Sequence, residues 1–314
     1  MKEKNLAVVF PGQGSQQRGM GRDLAERDHN IMELWKLAEK LSGLELREVY
    51  WEGDEEEMVR THYQQPALCV VGISIWQLLR PSPLCLAGHS VGEYGALVAG
   101  GVLSIEDALK IVSLRGKLMY EVGLTHPGSM AAILKLPCNM VEEIVKRVQE
   151  KSQGTLCIAN YNSPRQFVIS GDSHAVEDAC NMAREKKGKA IVLPVSGAFH
   201  SSLMEEAADE LAGYMDKFIW RDSRIPIFFN VTATKELAGE RIKEIMKRQM
   251  ISSVLWNQII ENQWREGVRL WWELGPKGVL CGLIRRILAG KGEEWGARCI
   301  EGIEHILEIC RGNK

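Results

Sequence analysis

The first uninterrupted apolar run in the chain is LAVVF (6–10), and it stops at Pro11-Gly12. Five successive apolar positions without polar alternation fit a parallel strand covered on both faces and followed by a loop. The segments near 22–49 and 54–80 change to helical spacing. Trp35, Leu37 and Leu41 mark the apolar face of the first, and Ala67, Val70, Val71, Ile75 and Leu78 that of the second, which Pro81 and Pro83 end. LCLAG (84–88) reads as a second short strand and GEYGALVAGG (92–101) as a helix of small residues. DALKIVSLRGKLM (107–119) is a helix whose apolar face carries Ala108, Ile111, Val112 and Leu118.

The pattern changes again between about 129 and 195. SMAAILKL is strand-like, NMVEEIVKRVQE an amphipathic helix, TLCIANYN and RQFVISG two strands, SHAVEDACNMAREKKG a second helix and KAIVLPV a last strand. This β-α-β-β-α-β order is the ferredoxin-like split βαβ unit. It predicts a small domain over 129–195 inserted into a larger α/β domain made of 1–128 and 196–314. The returning chain reads as helices near 201–217 and 239–248 and as strands over 225–231 and 269–275, with no internal repeat or low-complexity tract.

Composition narrows the function classes. The chain has 314 residues, 45% of them hydrophobic, with a formal net charge of −2, which excludes a disordered or fibrous protein. Charges of both signs are scattered, so no basic stripe is offered to nucleic acid or to an anionic membrane. The acidic run Asp54-Glu55-Glu56-Glu57 reads as a solvated helix start. The eight cysteines have no Cys-x-x-Cys spacing and several sit in apolar runs, the pattern of free thiols in a reducing compartment rather than of disulfides or a metal site. The apolar stretch near the N-terminus is too short for a signal peptide, and none reaches the ~18 residues of a membrane span. A soluble, cytoplasmic protein is expected. Trp271-Trp272 is expected in the core.

The chemistry-bearing stretch is Gly88-His89-Ser90-Val91-Gly92, which fits Gly-x-Ser-x-Gly at a strand-to-helix junction. A serine hydroxyl needs a base, so a histidine must come from elsewhere. His29 and His62 lie on polar helical stretches, His126 and His174 in turn-like sequence, and His305 near the C-terminus, all read as surface positions. His89 adjoins the serine, and neighbours along a turn point apart. His200, in PVSGAFHSS at the junction of the two domains, is the candidate base, with a plain helix-start histidine as the alternative. PGQGSQQRGMG (11–21) has Gln17 where a dinucleotide fingerprint needs its third glycine and lacks the Gly-Lys-Ser/Thr end of a phosphate loop. That leaves a simple turn, or a loop bringing Gln13 to the carboxyl ends of the strands. A lone arginine such as Arg115 usually snorkels to the surface; it gains meaning if a substrate carries a carboxylate, which a guanidinium holds bidentately. No metal-ligating pattern is present.

Taken together, FPGQGSQ (10–16), QPAL (65–68), GHSVGEYGALVAGGVLS (88–104), VSLRGKLM (112–119), GSMAAIL (128–134), ANYNSPRQFVISG (159–171), SGAFHSSLM (196–204), NVTA (230–233) and ELGPKGVLCGLIRRI (273–287) resemble one family. It comprises the malonyl-CoA:acyl carrier protein transacylases and the related acyltransferase domains of polyketide synthases. The resemblance implies a large α/β-hydrolase-like domain with a parallel sheet plus the inserted ferredoxin-like (βαββαβ) domain, the site lying in the cleft between them. It implies Ser90 as nucleophile and His200 as base, with Gln13 and the Val91 N–H as oxyanion hole. Arg115 becomes the clamp for the malonyl carboxylate and Phe199 a gate against an α-methyl branch. Gln249 lends its backbone carbonyl to orient the histidine.

The expected reaction moves malonyl from malonyl-CoA to the phosphopantetheine thiol of holo-acyl carrier protein through a Ser90 ester, for fatty acid synthesis. It needs no cofactor or metal. A monomer is expected, with the carrier docking its acidic surface on basic residues at the cleft mouth. Rival readings are a hydrolase on the same residues, a discrete acyltransferase serving a polyketide assembly line, and a non-catalytic docking module.

Overall fold

The computed structural model describes residues 5–151, 154–195 and 197–312; Ser196, where the chain is expected to return to the large domain, lies outside them. Strand β1 (Leu6–Phe10) is buried along its whole length. Leu6, Val8 and Phe10 enter one apolar core and Ala7 and Val9 another, so the run carries no polar position because neither face meets water. Four helices follow: α1 (Arg22–Arg27), α2 (His29–Ser42), α3 (Glu55–Met58) and α4 (Thr61–Leu79). The segment expected as one helix over 22–49 is divided at Asp28, whose carboxylate accepts the Asn30 N–H at 2.8 Å and starts a new helix. It ends in a π-helical turn, Glu48–Glu52. Asp54 caps α3 through the N–H groups of Glu56 and Glu57, so the acidic run is a helix start.

Strand β2 (Cys85–Gly88) leads into α5 (Gly92–Gly100) and α6 (Ile105–Thr125). The chain then builds β3 (Ser129–Leu134), α7 (Cys138–Lys151), β4 (Leu156–Ser163), β5 (Gln166–Gly171), α8 (Ser173–Glu185) and β6 (Lys189–Val192). These strands form a separate antiparallel sheet in the order β4-β5-β3-β6, the ferredoxin-like arrangement. Ala131, Ile133, Ile158 and Ile169 pack under its two helices, while Met130, Ala132, Gln166 and Val168 on its other face line a cleft.

The remaining elements are α9 (Glu205–Met215), β7 (Ile227–Phe228), β8 (Lys235–Glu236), α10 (Gly239–Lys247), α11 (Trp256–Arg265), β9 (Leu270–Leu274), α12 (Val279–Ile287), β10 (Gly296–Ile300) and α13 (Ile303–Gly312). They complete a six-stranded sheet in the order β10-β9-β1-β2-β7-β8, parallel except for β8. Trp271 and Trp272 are buried on β9. The expected strand over 225–231 shrinks to two residues, because the Phe229 N–H turns to Thr234 and Asn230 leaves the sheet for the interior. Neither β8, β10 nor the helices α11, α12 and α13 were read from the pattern.

A short strap joins the sheets. Val254 exchanges backbone hydrogen bonds with Ala159 (2.8 Å) and Tyr161 (2.9 Å) of β4, and the Ser253 hydroxyl donates to the Ile158 carbonyl at 2.7 Å.

The strand-to-helix turn is packed so closely that only glycine fits. A Cβ on Gly92 would lie 2.1 Å from the Phe10 carbonyl oxygen, whereas one on Gly213, in α9, meets nothing within 4 Å. Gly92→Ala therefore destabilises the protein by about 2 kcal/mol or more, while Gly213→Ala leaves stability unchanged or raises it by ~0.5–1 kcal/mol. Urea denaturation of the two variants reads the contrast directly.

Candidate active site

Ser90 stands at the end of β2 with φ 51°, a left-handed conformation that a side-chain-bearing residue holds only when its surroundings impose it. Two side chains and two glycines do so. Asn230 accepts the Ser90 N–H at 2.7 Å and donates to the Gly88 carbonyl at 2.6 Å. Gln249 donates to the Ser90 carbonyl at 2.8 Å. A Cβ on Gly88 would meet the Gly92 backbone at 2.0 Å, so the spacing of the glycines in Gly-x-Ser-x-Gly is a packing requirement of the turn.

His200 also has positive φ, 59°, and is 4% exposed. Its Nε2 lies 2.8 Å from Ser90 Oγ. Its Nδ1 faces two carbonyls, Gln249 O at 3.1 Å and Ser252 O at 3.0 Å. Carbonyls only accept, so they fix the proton on Nδ1 and leave Nε2 free to take one from the serine. Ser252 belongs to the strap between the sheets, so the imidazole is aimed by the junction itself. Burial first, then the positive Arg115 and the neighbouring His89, lowers the His200 pKa to about 3.

Arg115 is 1% exposed, not a surface residue, and its position three residues after Val112 puts it on the buried face of α6. Nη1 donates to Gln65 Oε1 at 2.6 Å, Nη2 to Gln249 Oε1 at 2.9 Å and to Ser90 Oγ at 3.2 Å, and Nε to Gln249 Oε1 at 3.3 Å. These bonds use four of its five N–H groups. Among the described residues no carboxylate forms an ion pair with it. Burial lowers its pKa while Tyr94 and Glu93 oppose the shift.

Glu93, on the first turn of α5, is fully buried and accepts from the Asn230 N–H (2.7 Å) and Gln249 Nε2 (2.8 Å). Burial raises its carboxyl above the usual range, against the pull of those two donors and of Arg115.

A cleft of about 330 Å³ opens over Ser90 and His200 between the two sheets. Gln13 and Phe199 line it. The Gln13 side chain donates to Thr61 Oγ1 at 3.2 Å, and among the described residues the main-chain N–H groups of Gln13 and Val91 find no protein acceptor. Phe199 is 4% exposed and its ring occupies the space a Cβ on Gly197 would need. All seven residues singled out in the sequence thus stand in or beside one cleft, with Ser90, His200, Arg115 and Gln249 in a single hydrogen-bonded cluster.

Sequence reasoning gave no role to Glu93, Asn230, Gln65 or Ser252. Asn230, Glu93 and Gln65 lie inside matched segments, and a buried polar residue in such a segment was the available signal. His89 makes no bond to the Ser90 hydroxyl, yet its half-buried ring faces the cleft, with Nε2 2.8 Å from Asn162 Oδ1. His62 is no free surface residue either; its ring stacks against Tyr63 and Tyr120. His29, His126 and His174 are exposed. The eight cysteines are unpaired, four of them buried. Among the described residues no cluster of His, Cys, Asp or Glu is placed to hold a metal ion, and no helix is long and apolar enough to cross a membrane.

Comparison with known proteins agrees with this geometry. The family model for the acyl transferase domain matches residues 7–290. The malonyl CoA-acyl carrier protein transacylase of Bacillus subtilis is 39% identical over 287 residues, 90% of each chain. The crystal structure of the malonyl-CoA:acyl carrier protein transacylase of Xanthomonas oryzae superposes with a TM-score of 0.92 at 36% identity, covering 99% of each chain. A malonyl-transacylase solved in complex with its type II polyketide synthase acyl-carrier protein matches at 0.91 and 33% identity, covering 99% of this chain and all of that one. The matched model spans most of the sequence and the relatives match along nearly its full length: the chain belongs to the acyl transferase family.

Proposed function

We propose that the protein is a malonyl-CoA:acyl carrier protein transacylase that supplies malonyl groups to fatty acid synthesis through an ester on Ser90. The observation that carries the malonyl assignment is Arg115: a buried guanidinium that touches the nucleophile and, among the described residues, has no carboxylate partner. A buried cation left without its counter-charge is costly, and the free carboxylate of a malonyl group supplies one. The Nη1 N–H without an acceptor, and the Nη2 N–H released when Ser90 is acylated, are the two donors such a carboxylate would take.

The steps follow from the site. His200 Nε2 removes the Ser90 proton as Oγ attacks the thioester carbonyl. The main-chain N–H groups of Val91 and Gln13 hold the oxyanion, a contribution worth ~2.7–4 kcal/mol per donor in comparable sites. Collapse of the intermediate breaks the C–S bond, and the CoA thiolate leaves with the proton from His200. In the second half-reaction His200 takes the proton of the carrier's pantetheine thiol. That sulfur attacks the malonyl ester, and Ser90 leaves reprotonated. The low pKa of His200 keeps the resting imidazole neutral and free to accept a proton, which it holds only until the leaving group takes it. Phe199 crowds the α-carbon.

In the same reading 1–128 and 196–314 make the catalytic domain and 129–195 the insert whose open sheet face walls the cleft. The enzyme works as a cytoplasmic monomer with the acyl carrier protein as its acceptor. The relative that pairs with a polyketide carrier supports a second pathway for the same reaction, a discrete acyltransferase serving a polyketide synthase.

Arg115→Ala tests the assignment. It lowers kcat/KM for malonyl-CoA by the ~2–5 kcal/mol of a truncated buried charge contact, spares acetyl-CoA, and so abolishes the preference for malonyl. Persistence of that preference would contradict the clamp. Phe199→Ala raises methylmalonyl relative to malonyl transfer by about tenfold or more, the scale of ~1–3 kcal/mol for a methyl group in an apolar pocket; competition assays with the two donors measure it.

The His200 shift has a consequence for stability. Its pKa is lower folded than unfolded, so between about 6.5 and about 3 the unfolded chain binds more protons, and stability falls as pH falls through that window. Wild type therefore loses about 2 kcal/mol more than His200→Gln between pH 6.5 and 4.5, read from urea denaturation at the two pH values.

A further inference from the structure

Among the described residues Glu93 is the one carboxyl buried in this site, and it bonds to none of the reacting atoms. One of its oxygens accepts the main-chain N–H of Asn230 at 2.7 Å and the other accepts Gln249 Nε2 at 2.8 Å. Its two partners reach opposite sides of the nucleophile. Asn230 holds the Ser90 N–H and the Gly88 carbonyl. Gln249 holds the Ser90 carbonyl with its Nε2, the guanidinium of Arg115 with its Oε1, and the His200 ring with its main-chain carbonyl.

A side-chain amide is nearly symmetric in shape, so Gln249 could turn either end toward Arg115. Only one end works. With Nε2 toward Glu93 and the Ser90 carbonyl, both acceptors meet a donor and Oε1 is left for the guanidinium. Reversed, the amide oxygen would face the carboxyl and the carbonyl while its NH2 faced a cation. Two acceptors on one side, the Glu93 carboxyl and the Ser90 carbonyl, set the orientation, each 2.8 Å from Nε2.

We propose that Glu93 is a positioning residue for acyl selection: it fixes the amide of Gln249 so that Oε1 holds the Arg115 guanidinium ready for the carboxylate of the incoming acyl group. The inference rests on the reading of Arg115 as that clamp. Through Asn230, Glu93 also braces the backbone of the turn, which serves every acyl donor alike. The two duties separate experimentally: loss of the brace slows all donors together, whereas loss of the Gln249 orientation falls on donors that carry a free carboxylate.

The test is the ratio of kcat/KM for malonyl-CoA to that for acetyl-CoA, with rates expressed per acylatable serine counted by intact-protein mass spectrometry. Glu93→Gln, of the same shape but with one acceptor oxygen replaced by an NH2 donor, lowers the ratio about tenfold or more, the scale of one lost hydrogen bond to the charged guanidinium. Gln249→Ala keeps the main-chain carbonyl that orients His200 and lowers the ratio similarly. The double variant falls no further than the lower of the two, since both changes act through one contact. An unchanged ratio in either single variant, or additive losses in the double, overturns the proposal. If Glu93→Gln does not fold, Glu93→Asp, which keeps the carboxyl but withdraws it from Gln249, takes its place, and an unchanged ratio there overturns the proposal. Arg115→Ala run alongside separates the two failures: if it keeps the wild-type ratio, the clamp reading falls and the inference with it; if it loses the ratio while Glu93→Gln does not, only the inference falls.

Discussion

A positive charge sealed in the interior beside the nucleophile is the constraint around which the site is built. Arg115 is held by two glutamine oxygens and the Ser90 hydroxyl, which satisfy its hydrogen bonds but not its charge. Several other features follow from keeping it there. Gln65 and Gln249 must come from α4 and from the turn after α10 to reach it, and Gln249 stands between it and the buried Glu93, bonded to both. Its field, added to burial, keeps the His200 imidazole neutral.

The backbone constraint is the complement of the electrostatic one. Ser90 and His200 both occupy left-handed conformations, each costing of order 1–3 kcal/mol. The strain is held by close packing at the turn, where β1, β2 and α5 approach within the width of a glycine, and by the strap whose Ser252 carbonyl meets His200. The base comes from the segment that follows the small sheet, and its acceptors come from the strap that crosses between the sheets. Active-site geometry is therefore a property of the junction between them.

Much of this was legible in the sequence, for physical reasons that differ from element to element. β1 announces itself because burial on both faces leaves no polar position. The inserted unit does so because its helices have one wet face and its strands regular turns between them. The break at Asp28 was missed because a cap looks like any other polar residue within a helical pattern. The strand near 225–231 was overextended because Phe229 and Asn230 are as apolar or β-compatible as their neighbours, and only the partner across the turn pulls them out of the sheet. Arg115 sits at helical spacing from Val112 and Leu118, yet its charge argued for the surface, so the periodicity was outweighed and its burial was not read. Nor was what made burial tolerable, oxygens from residues 65, 90 and 249. Glu93 and Asn230 are polar groups whose partners lie more than 130 residues away in sequence, and no local pattern reports such a pairing. The roles of Gln13, Val91, Phe199 and Gln249 came from family resemblance alone.

The most direct measurement is intact-protein mass spectrometry through a single turnover: brief exposure to malonyl-CoA, then addition of holo-acyl carrier protein, with Ser90→Ala in parallel. The account requires a malonyl adduct on the wild-type protein, none on the variant, and passage of the malonyl group to the carrier's thiol when the carrier is added. An adduct that is lost to water as free malonate while the carrier stays unmodified, or an adduct that persists in Ser90→Ala, would contradict it.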